Sequence, residues 1–128
     1  MNYTEACEAL KANQSMGMRQ DLTDFAHLMT CLGSPQDSYP TLHIAGTNGK
    51  GSTTMMLTEV LIAGGYRTGT FISPHIFEYT ETLYLNGSNC TSAAFAEAAT
   101  EVFGCYWAED YFATHPLTTF ELLTAIMF

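Results

Sequence analysis

The sequence predicts an α/β fold, a parallel sheet flanked by helices with a small β-hairpin. Three observations predict it. The apolar run "TLHIA", residues 41–45, leads through a glycine-rich stretch into a helical pattern. A second β-leaning run, "YRTGTFIS", follows, and strand, helix and strand together occupy about thirty residues, the span of a right-handed βαβ unit. Helical periodicity brackets this unit on both sides.

Each element has its own signal. "NYTEACEALKA" reads as a short opening helix. "MGMRQDLTDFAHLMTCLG" places Leu22, Phe25, Ala26, Leu28, Met29 and Leu32 at helical spacing, with Gly33 as the stop. "SPQDSYP" is a turn-rich connector. "TTMMLTEVLIAGG" sets Met56, Leu57, Val60 and Leu61 on one helical face and ends at Gly64 and Gly65; the Met55–Met56 pair reads as core. "ETLYLNGSN" alternates about an Asn86–Gly87 turn, as a hairpin does. From Ser92 to Tyr106, Phe95, Ala98, Ala99, Val102, Phe103 and Tyr106 recur at steps of three and four. A last helix begins near Thr118. Its apolar positions Leu122, Leu123, Ile126, Met127 and Phe128 run without a cap to the end, so the chain is expected to be the front piece of a longer protein.

Composition narrows the function. With 128 residues, 47% apolar and 13% charged, the chain is long enough for one domain with a core. The formal net charge of −9 argues against nucleic acid and anionic membranes as general partners. No apolar run approaches the ~18 residues of a bilayer span. Cys7, Cys31, Cys90 and Cys105 form no C-x-x-C pair, and Glu5 and Glu8 interrupt any secretory apolar region. The cysteines are therefore expected to be reduced and the protein cytoplasmic. His27, His43 and His115 lack metal-ligand spacing and read as structural.

An anionic ligand bound by so acidic a chain needs local devices, and "HIAGTNGKGSTT" supplies them. Glycines let the main chain curl so that successive N–H groups point inward. A helix starting directly afterwards adds unpaired N–H groups and its dipole. Lys50 offers a cation for the outer phosphates and Ser52 a hydroxyl for Mg²⁺. The string departs from G-x-x-x-x-G-K-[ST], because position 44 is Ile and Gly51 separates Lys50 from Ser52. A glycine-rich strand-to-helix turn with a solvated lysine is the alternative reading. Ser73-Pro74 alone reads as a strand-ending turn, Thr118-x-x-Glu121 as a capping box, and Phe77 and Tyr79 as core or as stacking surfaces.

"HIAGTNGKGS", "SPHIFEYTETLYLNG" and "TTFELLTA" together resemble the folylpolyglutamate synthase/dihydrofolate synthase family of the Mur-ligase superfamily. The GKGS form is similar to the folate branch, where cell-wall ligases carry GKT[ST]. The resemblance implies the Mur-ligase central ATP-binding domain, a P-loop-type fold, with residues 1–128 as an incomplete N-terminal part. It implies a ligase in which ATP phosphorylates a carboxylate of dihydropteroate or a reduced folate. The amine of L-glutamate then displaces the phosphate, and this part alone is expected to be inactive. By that resemblance Thr47, Asn48, Gly49, Lys50, Gly51, Ser52 and Thr53 bind ATP, and Lys50 and Glu121 serve catalysis. Ser52, Ser73 and Glu121 serve Mg²⁺, and His75, Phe77 and Tyr79 lie on the substrate loop. Thr82 stands where the family often has Arg, which removes a cation. A Mur-type ligase for another carboxylate and a non-catalytic nucleotide-binding module are the alternatives. A monomer is expected.

Overall fold

The computed structural model describes residues 1–13 and 21–128, and these divide into two compact units, Met1–Pro40 with Ala93–Phe128, and Thr41–Ser92. The start of the helix expected from residue 16, with Arg19, lies outside the described residues.

The first unit is helical: α1 (Tyr3–Ala12), α2 (Thr23–Cys31), α4 (Ser92–Ala108, its first residue at the junction), α5 (Tyr111–Thr114) and α6 (Thr119–Met127). Asn2 and Glu5 close α1 with a reciprocal capping box. Leu10, Leu28, Phe95, Phe103, Leu117 and Leu122 are fully buried and form its core. Burial of each side chain contributes about 1.5–3 kcal/mol. The ring of Tyr3 meets Phe95 edge-on at 5.5 Å, and Thr119 Oγ1 donates to Leu10 O at 2.9 Å, so α6 is bound to the end of α1. The apolar residues of the last helix do face this core: Leu122, Leu123 and Ile126 are buried.

The second unit holds α3 (Lys50–Ala63) and a three-stranded antiparallel sheet in the order β1 (Gly69–Phe71), β2 (Leu83–Leu85), β3 (Ser88–Asn89). The hairpin turn is as expected. Asn86 and Gly87 both have positive φ, +51° and +83°, the two-residue turn that matches strand twist, and Gly87 also sits where a Cβ would stand 3.3 Å from Ile62 Cδ1. Thr58 on α3 and Thr70 on β1 are buried and share a 2.7 Å hydroxyl–hydroxyl bond.

Two expectations need correction. The α/β class stands, but the sheet within this chain is antiparallel, and residues 41–45 form no strand. A short apolar run becomes a strand only when a neighbour takes up its N–H and C=O groups; here the ladder of β1 runs to β2, and Leu42 is 63% exposed. The face of α3 expected to be core is also open in part. Met56 and Val60 are exposed and Met55 half-buried, while the buried contact to β1 is made by Thr58.

Candidate functional site

The glycine-rich run folds into a loop that delivers directly into α3. Gly49 is the N-cap, with φ +77° and ψ 4°, a left-handed conformation that strains any side chain. Among the described residues no side chain caps this helix, and no acidic residue occupies its first turn. Among the described residues no hydrogen bond engages the main-chain N–H groups of residues 47 to 52; the first loop-to-helix bond is Thr53 N to Gly49 O, 2.9 Å. These amides and the positive end of the helix dipole therefore face solvent together, the arrangement that binds phosphate.

Lys50 does not reach outward. Its Nζ donates to Gly46 O at 2.8 Å and closes the loop on itself. No carboxylate pairs with it among the described residues. Thr47, Asn48, Ser52 and Thr53 are exposed around it.

Local packing brings the end of β1 to this loop. The Cβ that Gly51 lacks would stand 3.8 Å from Ile72 Cγ2, so the first turn of α3 touches the residue before Ser73. Ser73 is exposed and its peptide to Pro74 is cis. The hydroxyls of Ser52 and Ser73 carry no hydrogen bond to protein among the described residues, and hard oxygens of this kind suit Mg²⁺.

Beyond Ser73 the chain makes a loop with an exposed tip and a buried base. Ile76 and Phe77 are 79% and 85% exposed. Glu81 holds this tip: its Oε2 accepts from Ile76 N at 2.9 Å and Phe77 N at 3.1 Å. Those two main-chain bonds keep the carboxyl below its ordinary pKa. His75 is half-buried and lies 4.5 Å from the ring of Tyr79. Tyr79 itself is buried, while Phe77 is open. Thr82, in the position where the resemblance leads one to expect Arg, is fully buried and donates to Tyr79 O at 2.7 Å.

Glu121 belongs to the other unit. There the capping box is formed: Thr118 N and Thr118 Oγ1 donate to Glu121 Oε2 at 2.8 and 2.7 Å, and Glu121 N donates to Thr118 Oγ1 at 3.2 Å. Both bonds fall on Oε2, and Oε1 keeps its lone pairs. The structure thus assembles the loop, Lys50, Ser52 and Ser73 within one unit, and gives Glu121 a structural task of its own. Sequence reasoning missed Glu81 as the loop's clamp and the Thr58–Thr70 bond. An acidic residue five and four positions past the Ile76 and Phe77 amides was the only signal for the first.

No family model matches the chain. The chain is 31% identical over 126 residues to a dihydrofolate synthase/folylpolyglutamate synthase of Bacillus subtilis, covering 98% of this chain and 29% of that protein. It superposes with a TM-score of 0.89 on a Mycobacterium tuberculosis folylpolyglutamate synthase complexed with ADP, at 31% identity, covering 98% of this chain and 28% of that one. A complex of such a synthase with AMPPCP and folate gives the same TM-score at 30% identity, covering 99% of this chain and 31% of the other. The chain spans 29% of the length of the Bacillus subtilis synthase and 30% of that of a folylpolyglutamate synthase of Lacticaseibacillus casei.

Proposed function

Given that the chain belongs to the folylpolyglutamate synthase/dihydrofolate synthase family by sequence and by fold, we propose that it forms part of an ATP-dependent ligase that joins L-glutamate to a pteroate or folate carboxylate. The observation that carries the proposal is the loop from Gly46 to Ser52, whose amides and helix terminus stand unpaired beside an ammonium group.

In this reading the N–H groups of residues 48 to 51 hold the phosphates of ATP, with Thr47 and Thr53 as flanking hydroxyls. Lys50 moves its Nζ from Gly46 O to the oxygens of the transferring phosphoryl group. Transfer of that group to the substrate carboxylate leaves ADP and an acyl phosphate. Attack by the glutamate amine then releases phosphate and forms the amide. The chain contributes position and charge, which dominate phosphoryl transfer. Mg²⁺, once bound, would neutralise the triphosphate. Ser52 Oγ and Ser73 Oγ would hold it. The tip with His75 and Phe77 would meet the pterin, and Glu81 would keep that tip in shape. Four free cysteines and a net charge of −9 support a reducing, cytoplasmic setting and a monomer that binds neither membrane nor nucleic acid. Among the described residues, no helix is long and apolar enough to cross a membrane.

Titration of Mg-ATP against the chain and against Lys50→Ala tests the loop. A charged hydrogen bond is worth about 1.5–3 kcal/mol, so the variant should bind roughly ten- to a hundredfold more weakly. Equal affinities would remove the loop from the mechanism. In a protein that contains this sequence at the relatives' full length, ADP release should depend on both the pteroate or folate substrate and glutamate.

A further inference from the structure

The helical unit holds a second group of chemistry-bearing side chains that shares no residue with the phosphate loop. His27 and Cys31 stand one turn apart on α2, at i and i+4, and so leave the helix on one face. Glu109 follows the last residue of α4. One donor atom from each of the three lies within 4.8 Å of the others, and His27 Nε2 is 3.8 Å from Glu109 Oε2. Although the His27 side chain is 40% exposed, its Nε2 is covered and makes no hydrogen bond. A covered ring nitrogen without a hydrogen-bond partner calls for an explanation.

The ring is held in place by packing. It stacks on Tyr111 at 4.4 Å and 26°, and meets Phe112 edge-on at 5.5 Å. Tyr111 is in turn fixed by its hydroxyl, which donates to Asp24 Oδ1 at 2.7 Å. A second sulfur stands beside the first: Cys105, one turn before Glu109, has its Sγ 3.8 Å from Cys31 O. All four cysteines are free thiols. The histidine that the sequence marked as structural is thus aimed, through an oriented ring, at a thiol and a carboxylate.

We propose that His27 Nε2, Cys31 Sγ and the Glu109 carboxylate bind a Zn²⁺-class transition metal, with the fourth position taken by water or by Cys105 Sγ. Nitrogen, sulfur and oxygen donors together suit Zn²⁺ and not Mg²⁺ or Ca²⁺, which take oxygen alone. Bonds of about 2.0–2.3 Å set the donors of a tetrahedral site about 3.5 Å apart. The approach required is on the order of an ångström, within reach of side chains at the surface. Binding forms metal–N, metal–S and metal–O bonds, the Cys31 thiol proton passes to solvent, and no oxidation state changes. In the free protein, burial and then the charge of Glu109 raise the pKa of that thiol; a cation between the three donors acts in the opposite sense.

Co²⁺ alone, without nucleotide, titrated into the whole chain is the test. The expected result is one Co²⁺ per chain, with an ultraviolet thiolate-to-metal band and visible bands of a four-coordinate site, and stoichiometric displacement by Zn²⁺. Cys31 is exposed, so Cys31→Ser should fold; it should lose the thiolate band and weaken Zn²⁺ binding by more than about 100-fold, beyond the 10–100-fold seen on loss of an outer-shell partner. His27→Gln should weaken it likewise, whereas Lys50→Ala and Cys7→Ser should leave it unchanged. Zn²⁺ should raise the melting temperature of the wild type and not of Cys31→Ser. A thiolate band that survives in Cys31→Ser, or Zn²⁺ affinity equal in that variant and the wild type, overturns the proposal.

Discussion

Glu81 shows how one side chain sets the form of a loop. Its carboxylate holds two successive main-chain N–H groups, and with them two exposed apolar residues, Ile76 and Phe77. Because these bonds favour the ionised form, the pKa of Glu81 is lowered on folding. The contribution is therefore fully present above the ordinary carboxylate pKa and is lost as pH falls through the lowered value of the folded protein. Amide exchange corrected for intrinsic rates should show Ile76 and Phe77 protected at neutral pH and released in acid. In Glu81→Gln the protection should be weaker and independent of pH; an unchanged acid profile in that variant would refute the clamp. Among the residues that the sequence flagged in this region was Thr82, as a missing cation. Its fully buried hydroxyl instead makes one of the bonds at the base of the loop. Residue type was legible here; the bonding partner was not, because it depends on how the chain turns between positions 73 and 82.

At the scale of elements, α3 is tied to β1 by two hydroxyls. Thr58 also donates to Thr54 O within its own helix, so the Thr58–Thr70 pair has one hydroxyl proton spent on the helix and the other on the bond between the elements. Thr58→Val leaves the buried Thr70 hydroxyl without this partner and should cost about 1–3 kcal/mol in chemical denaturation, while Thr70→Val leaves Thr58 its bond to Thr54 O and should cost less. The double variant should cost less than the sum of the two. Strict additivity would show that the pair is not coupled. Helices were the most legible elements, since α4 and α6 carry their period on their surface and Thr118–Glu121 announces its own cap. The hairpin was legible through Asn86–Gly87. The run at 41–45 was misjudged, as composition can supply a strand's side chains but not the neighbour that completes its hydrogen bonds. The face of α3 was misjudged for a related reason: with Met56 and Val60 outside and Thr58 inside, hydrophobicity does not report which side meets the sheet. The short helix α5 carried no signal of its own, yet its Tyr111 orients His27.

At the scale of the whole chain, charge is the ruling quantity. A formal −9 repels nucleotides at long range, while the loop attracts them at contact. Salt screens the long-range part first, since the Debye length shrinks from about 30 Å at 0.01 M to about 8 Å at 0.15 M. The association rate of Mg-ATP with the chain should therefore rise over that range of salt in stopped-flow measurements, the reverse of an electrostatically steered encounter. A falling rate would mean that the loop's field outweighs the rest of the surface. The sign of this effect follows from composition alone, as does the need for a local cradle. What composition left open is where the Lys50 ammonium rests. Lys50 rests on the first carbonyl of the turn it belongs to, and among the described residues it pairs with no carboxylate. Capture of a phosphate is consequently a hand-over: Gly46 O must be rehydrated as the ammonium departs. A methionine at position 50 would strip out both the visitor's counter-charge and the brace that ties the two ends of the curl together.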